Sequence, residues 1–212
     1  MVVSLWLYRR GSLRGGILLT GPILYLLYNY GLMAFGAAYN NLFLVYKVLT
    51  SLTFFGSLIS IMSFDRRTFP SHFSEGLPIR GVSIFLIVSG IALFSIWLFL
   101  SILSALLAGT VPDEVASYTT VITFVMDMGI IAPALVTAGF LLMRRAPLGY
   151  VLASVLLVFI DVLGLALLAI GIGQEIAGLM SIGQFIGFVV SFAILTLFSL
   201  WFTFALFRNM SD

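Results

Sequence analysis

The chain has 212 residues, of which 62% are apolar and 8% charged, with a net charge of +2. A soluble domain carries about a quarter charged residues and about half apolar ones, so a soluble globule, a disordered tail and a collagen-like fibre are excluded. A mean hydropathy of +1.21 calls for lipid as solvent, and the lack of cysteine removes disulfides, thiol chemistry and Cys-ligated metals.

The chain opens with a short apolar stretch at 2–8 that ends in Arg9 and Arg10. It is too short to span, and its basic residues follow the apolar run, the reverse of a signal peptide. An interfacial segment anchored by Trp6 and Tyr8 is expected. Six apolar runs of spanning length, about 20 residues or more, then follow at 16–38, 42–64, 82–108, 119–143, 148–172 and 180–207. They predict an all-α fold, a polytopic bundle of six transmembrane helices forming a single domain over 1–212. The first outer turn, around Ala38, Tyr39, Asn40 and Asn41, is very short, so the first two spans are expected to be antiparallel neighbours. The polar stretch at 65–80 carries Pro70 and Pro78 and is too short to fold alone. Pro22 and Pro133 lie inside spans and predict kinks that free backbone carbonyls.

Basic residues set the orientation. Arg9, Arg10, Arg14, Arg66, Arg67, Arg80, Arg144, Arg145 and Arg208 fall on one side and only Lys47 towards the other. By the positive-inside bias both termini are cytoplasmic, and the cell (plasma) membrane is the expected location. Trp6, Tyr150, Trp201 and Phe207 suit the inner interface, and Tyr39, Tyr46 and Tyr118 the outer one.

Three ionisable residues fall within the spans: Lys47, Asp127 and Asp161. An Asp near a helix centre costs about 2.5–3.5 kcal/mol on the insertion scale, so each carboxyl should face protein or water. Tyr25, Tyr28, Asn29 and Gly36 share one helical face of the first span; Ser181, Gln184, Gly187 and Ser191 share one of the sixth. Polar groups thus gather from the midplane outward on several helices. A polar pocket open to the outer surface is expected, built from Asp127, Asp161, Lys47, Asn29, Tyr28, Tyr25 and Gln184. The plainer alternative is a set of hydrogen bonds or an ion pair joining helices. Small residues at Gly183, Gly187 and Ser191, and at Thr53, Gly56, Ser57 and Ser60, predict close seams between helices.

Enzyme signatures are missing: the chain has no HExxH, GxSxG, P-loop or CxxC pattern. The surroundings of Asp127 and Asp161 differ from the Tyr-Asp and Gly-x-Gly-Asp patterns of intramembrane aspartyl proteases. His72, the single histidine, lies in a loop without companion ligands. No catalytic centre, metal or cofactor is expected, and nucleic acid is not an expected partner.

The strings Tyr25-Leu-Leu-Tyr-Asn-Tyr-Gly31, Ala34-Phe-Gly-Ala-Ala-Tyr-Asn-Asn-Leu-Phe-Leu-Val-Tyr46 and Arg144-Arg-Ala-Pro-Leu-Gly-Tyr-Val-Leu-Ala153 resemble a group of uncharacterised prokaryotic multi-pass membrane proteins, mostly bacterial. The likeness covers much of 9–170 and brings no activity with it. It implies a further helix upstream of Arg9, of which 2–8 would be the stub.

The expected function is that of a non-enzymatic membrane protein whose outer-half pocket binds a small solute, a lipid headgroup or a partner helix. A transporter or channel using Asp127 and Asp161 for proton or cation coupling, with Lys47 as counter-charge, is the alternative. The partners expected are the lipid bilayer and a small solute or membrane protein, and an oligomer is allowed.

Overall fold

In a computed structural model residues 1–115 and 120–211 are described, and they are helical apart from short connections. A short helix, α1 (Val2–Arg9), is followed by six long enough and apolar enough to cross a membrane. These are α2 (Leu13–Gly36), α3 (Phe43–Met62), α4 (Ile79–Ala108), α5 (Ile122–Met143), α6 (Pro147–Ile176) and α7 (Ile182–Arg208). Each expected span therefore has its helix. The start of the fourth span at Thr119, and Tyr118 of the expected outer belt, lie outside the described residues.

Local chemistry explains several of the boundaries. Ser12 accepts the Gly15 amide at 3.1 Å to cap α2, and Ser181 forms a capping box with Gln184 on α7. Pro147 stands in the first turn of α6, where its missing N–H costs nothing. Gly11, at φ 81°, turns the chain from α1 into α2, a conformation that side chains with a Cβ resist. Gly15 then lets α1 close onto α2: a Cβ there would stand 2.6 Å from the Tyr8 backbone nitrogen. The stretch at 2–8 is thus a docked helix with Val2, Val3 and Trp6 exposed along it.

The bundle is organised around α6. Val151, Ala153, Val155, Leu157 and Phe159 are almost fully enclosed, because α2, α5 and α7 all pack against this helix. Contact is close. A Cβ on Gly21 of α2 would meet Val158 at 2.5 Å, and one on Gly164 would meet Thr196 Oγ1 of α7 at 2.2 Å. On α4, Gly90 would likewise meet the Ala132 carbonyl at 2.7 Å, and α4 packs chiefly on α5. Small residues allow this approach where apolar burial gives helices in lipid no preference for one another.

α3 stands apart, meeting the bundle chiefly through α2. Of its expected small-residue seam, Ser57 is buried and Gly56 lies 3.7 Å from Ile23 by its would-be Cβ. The seam expected on the sixth span is corrected: among the described residues Gly183 and Gly187 have nothing within 4 Å, and Ser191 bonds back to the Gly187 carbonyl. That face of α7 meets none of the other described helices.

The ends of the chain meet. Arg14 donates to the Met210 carbonyl oxygen, Ser74 N–H donates to the Asn209 carbonyl at 2.8 Å, and Ser211 N–H to the His72 carbonyl at 2.8 Å. The start of the first span and the end of the last therefore lie at one end of the bundle, with the arginines of the connecting loops. Tyr150, expected at the interface, is buried there against Phe73, with ring centroids 5.4 Å apart.

Candidate functional site

Two helices widen where they face each other. α4 passes through a π-helical turn at Leu98–Ile102, and α5 through another at Asp127–Ile131. The second has a local cause. Pro133 cannot donate to the carbonyl four residues back, and its ring crowds that carbonyl, so the preceding turn opens. Asp127 begins the widened turn and is buried. Its Oδ1 accepts the Tyr28 hydroxyl at 2.8 Å and its Oδ2 the Trp97 indole N–H at 2.8 Å. Both carboxyl oxygens have a donor, and the group ties α2, α4 and α5 together.

Asp161 occupies a different interface. It is also buried, and its Oδ2 accepts the Thr203 hydroxyl of α7 at 2.7 Å. The Ser199 hydroxyl, on the same face of α7, donates to the Leu157 carbonyl at 3.2 Å. Oδ1 of Asp161 has no hydrogen-bond partner among the described residues.

The expectation of one polar pocket is therefore corrected. Phe159 of α6 turns its ring towards Tyr28, with centroids 6.1 Å apart, whereas Asp161 turns to α7. Residues two apart on a helix point about 200° apart, so α6 itself separates the carboxyls. Lys47 reaches neither of them. Its ammonium donates to the Ala34 carbonyl oxygen and lies 4.6 Å from the Phe43 ring centroid and 5.3 Å from that of Phe35. Tyr25 packs half-buried against the core. Asn29 is half-buried and bonds to neither carboxylate. Gln184 is exposed at the start of α7, its Oε1 accepting the Ser181 N–H at 3.0 Å, which makes it a helix cap.

One cavity of the bundle is apolar. It occupies about 690 Å³ between α3 on one side and α2, α5 and α6 on the other. Leu27, Phe54, Met126, Ile130, Leu156 and Phe159 are among its walls. Phe35 and Phe55 stand on its lining and are exposed. Tyr28, Thr50, Ser51 and Lys47 are its polar or charged lining residues. Tyr28 is already bonded to Asp127, and the Thr50 hydroxyl donates to the Tyr30 and Tyr46 carbonyls. Lys47 contributes the one charge. A space of this volume is in the range of small-molecule sites, roughly 300–1,000 Å³, and its surface suits hydrocarbon.

Sequence reasoning missed Trp97, Ser199 and Thr203. Thr196, Ser199 and Thr203 do recur at i, i+3 and i+7, a face legible in the string. Nothing in the string ranks that face above the Ser181, Gln184 and Gly187 face of the same helix. Trp97 sits in a continuous apolar run and carries no local sign of its carboxylate partner. Among the described residues, no group of three His, Cys, Asp or Glu comes together. Comparison with protein-family descriptions, with curated proteins and with solved structures finds no match to this chain.

Proposed function

We propose that this integral membrane protein works by binding, not catalysis, and that it holds the hydrocarbon part of a lipid or lipid-like molecule in the cleft between α3 and α5–α6. The observation that carries this reading is the cleft itself, a 690 Å³ space with almost wholly apolar walls. Its far wall, α3, is attached chiefly to α2, so a chain can enter from the side without parting the core. The two buried carboxyls serve as joints: one holds α2, α4 and α5, the other α6 and α7. Nine arginines lie at the end shared by the termini, which supports a cytoplasmic placement of that end in a plasma membrane.

Filling the cleft tests the reading. Ser51 and Ala134 line it without a side-chain hydrogen bond into the core. Native mass spectrometry of protein released from phospholipid micelles should show retained lipid for the parent. Ser51→Phe and Ala134→Phe should lose it while keeping the parent's helix content. Equal retention by the filled variants would reject the cleft as the site.

A further inference from the structure

The cleft has one charged lining residue, and its position points to the kind of molecule it takes. Lys47 lies four residues inside α3, about 6 Å of helical rise from its first residue, Phe43. Deeper along the same helix the lining continues through Thr50, Ser51, Phe54 and Phe55. The charge thus stands near one mouth of the cleft and the apolar walls extend from it towards the membrane centre. An amphiphile with its head at Lys47 and its chain below follows the same order.

Among the described residues the charge of Lys47 is held in place by a carbonyl and two rings. One donor goes to the Ala34 carbonyl, an unpaired carbonyl of the last turn of α2. The rings of Phe43 and Phe35 lie near the ammonium at 4.6 and 5.3 Å, a favourable setting for a cation. Among the described residues no carboxylate bonds to it: Asp127 is taken by Tyr28 and Trp97, and Asp161 lies on the other side of α6. An ammonium has three donors, so capacity remains for a ligand oxygen.

We propose that the cleft binds one acyl chain of an anionic phospholipid, with the lipid's headgroup seated on Lys47. The proposal rests on the cleft's being a hydrocarbon site. It adds the charge of the head and the residue that selects it. A zwitterionic lipid brings its own cation to the same mouth and gains less from Lys47. One basic side chain near the membrane surface favours an anionic lipid by about fivefold.

The test is a competition. Purified full-length protein is incubated with equal amounts of phosphatidylglycerol and phosphatidylcholine bearing identical chains, and the lipid retained is weighed by native mass spectrometry. The arginine-rich end also attracts anionic lipid, so the informative quantity is the part of the preference that depends on Lys47. The parent should retain phosphatidylglycerol about fivefold over that baseline. Lys47→Gln should retain lipid without the extra preference, Lys47→Arg should keep it, and Ser51→Phe should abolish the Lys47-dependent part. Should Lys47→Gln fail to fold, the parent and Ser51→Phe are compared at rising salt, and the part of the preference that Ser51→Phe removes must shrink. Lipid retained with the same preference in Lys47→Gln, or a salt-independent one, overturns the headgroup assignment and leaves the cleft intact. No retention of either lipid overturns the cleft and this proposal together.

Discussion

Trp97 donates its indole N–H to Asp127 at 2.8 Å, and each of the two borders a widened helical turn. Trp97 is the last residue before the turn at Leu98–Ile102, and Asp127 is the first of the turn at Asp127–Ile131. The bond therefore joins two places where the ordinary helical ladder is interrupted. With Tyr28 on the other oxygen, it makes a buried acid into a three-helix junction.

Removing either donor should destabilise this junction. Trp97→Phe or Tyr28→Phe leaves one carboxyl oxygen without a partner, a loss of about 1–3 kcal/mol. The double variant should cost more than the sum, because the carboxyl is then buried with no donor at all. Reversible unfolding in mixed micelles gives the three values; strict additivity would separate the two bonds energetically.

The α6–α7 joint should behave as a pair. Thr203→Val removes the hydroxyl on Asp161 Oδ2 and should cost about 1–3 kcal/mol, whereas Thr203→Ser keeps the donor and should cost much less. In an Asp161→Leu background the valine substitution should become almost neutral. A valine cost that persists in that background would assign Thr203 to packing alone.

Two glycines on neighbouring helices should respond oppositely to alanine. A Cβ on Gly149 would stand 2.3 Å from the Leu142 backbone nitrogen, and backbone cannot step aside as a side chain can. Gly149→Ala should therefore lower the unfolding temperature sharply, as overpacking of about 1–3 kcal/mol does. Gly187 has nothing within 4 Å among the described residues, so Gly187→Ala should be neutral or stabilising by up to about 1 kcal/mol. Thermal scans of the two variants side by side decide this.

The latch between the chain end and the loop near α4 should be visible in hydrogen exchange. Ser74 N–H donates to the Asn209 carbonyl, and its hydroxyl donates to Asn209 Oδ1 at 2.7 Å. A chain ended after Arg208 should exchange the Ser74 amide faster, while amides in the middle of α6 keep their protection. Unchanged exchange at Ser74 would mean that another group takes over the bond.

Asp65, in the connecting loop, carries the clearest pH signature outside the spans. The Thr68 hydroxyl at 2.8 Å and the Arg67 amide at 3.0 Å hold its carboxyl below the ordinary carboxylate range. A lowered folded value means that the ionised group adds stability above its unfolded pKa. This contribution fades as pH falls through the folded value. Thr68→Val should move the titration of Asp65 upward, followed by its side-chain carbon shift; an unmoved midpoint would assign the effect to the Arg67 amide alone.

The six spans, the gathering of arginines at one end and the burial of both carboxyls were legible in the amino-acid order, because apolar run length and the cost of charge in hydrocarbon are properties of local sequence. The partners of those carboxyls were not. In water an apolar stripe marks the face of a helix that turns inward, but here almost every face is apolar and lipid solvates it as well as protein does. Only the packing could decide that Asp127 meets Trp97 and Asp161 meets Thr203, that the Gly183 and Gly187 face turns outward, and that the cavity walls are mostly apolar with Lys47 their charged residue. Those outcomes depend on which backbones can approach closely, and that is set jointly by residues far apart in the chain.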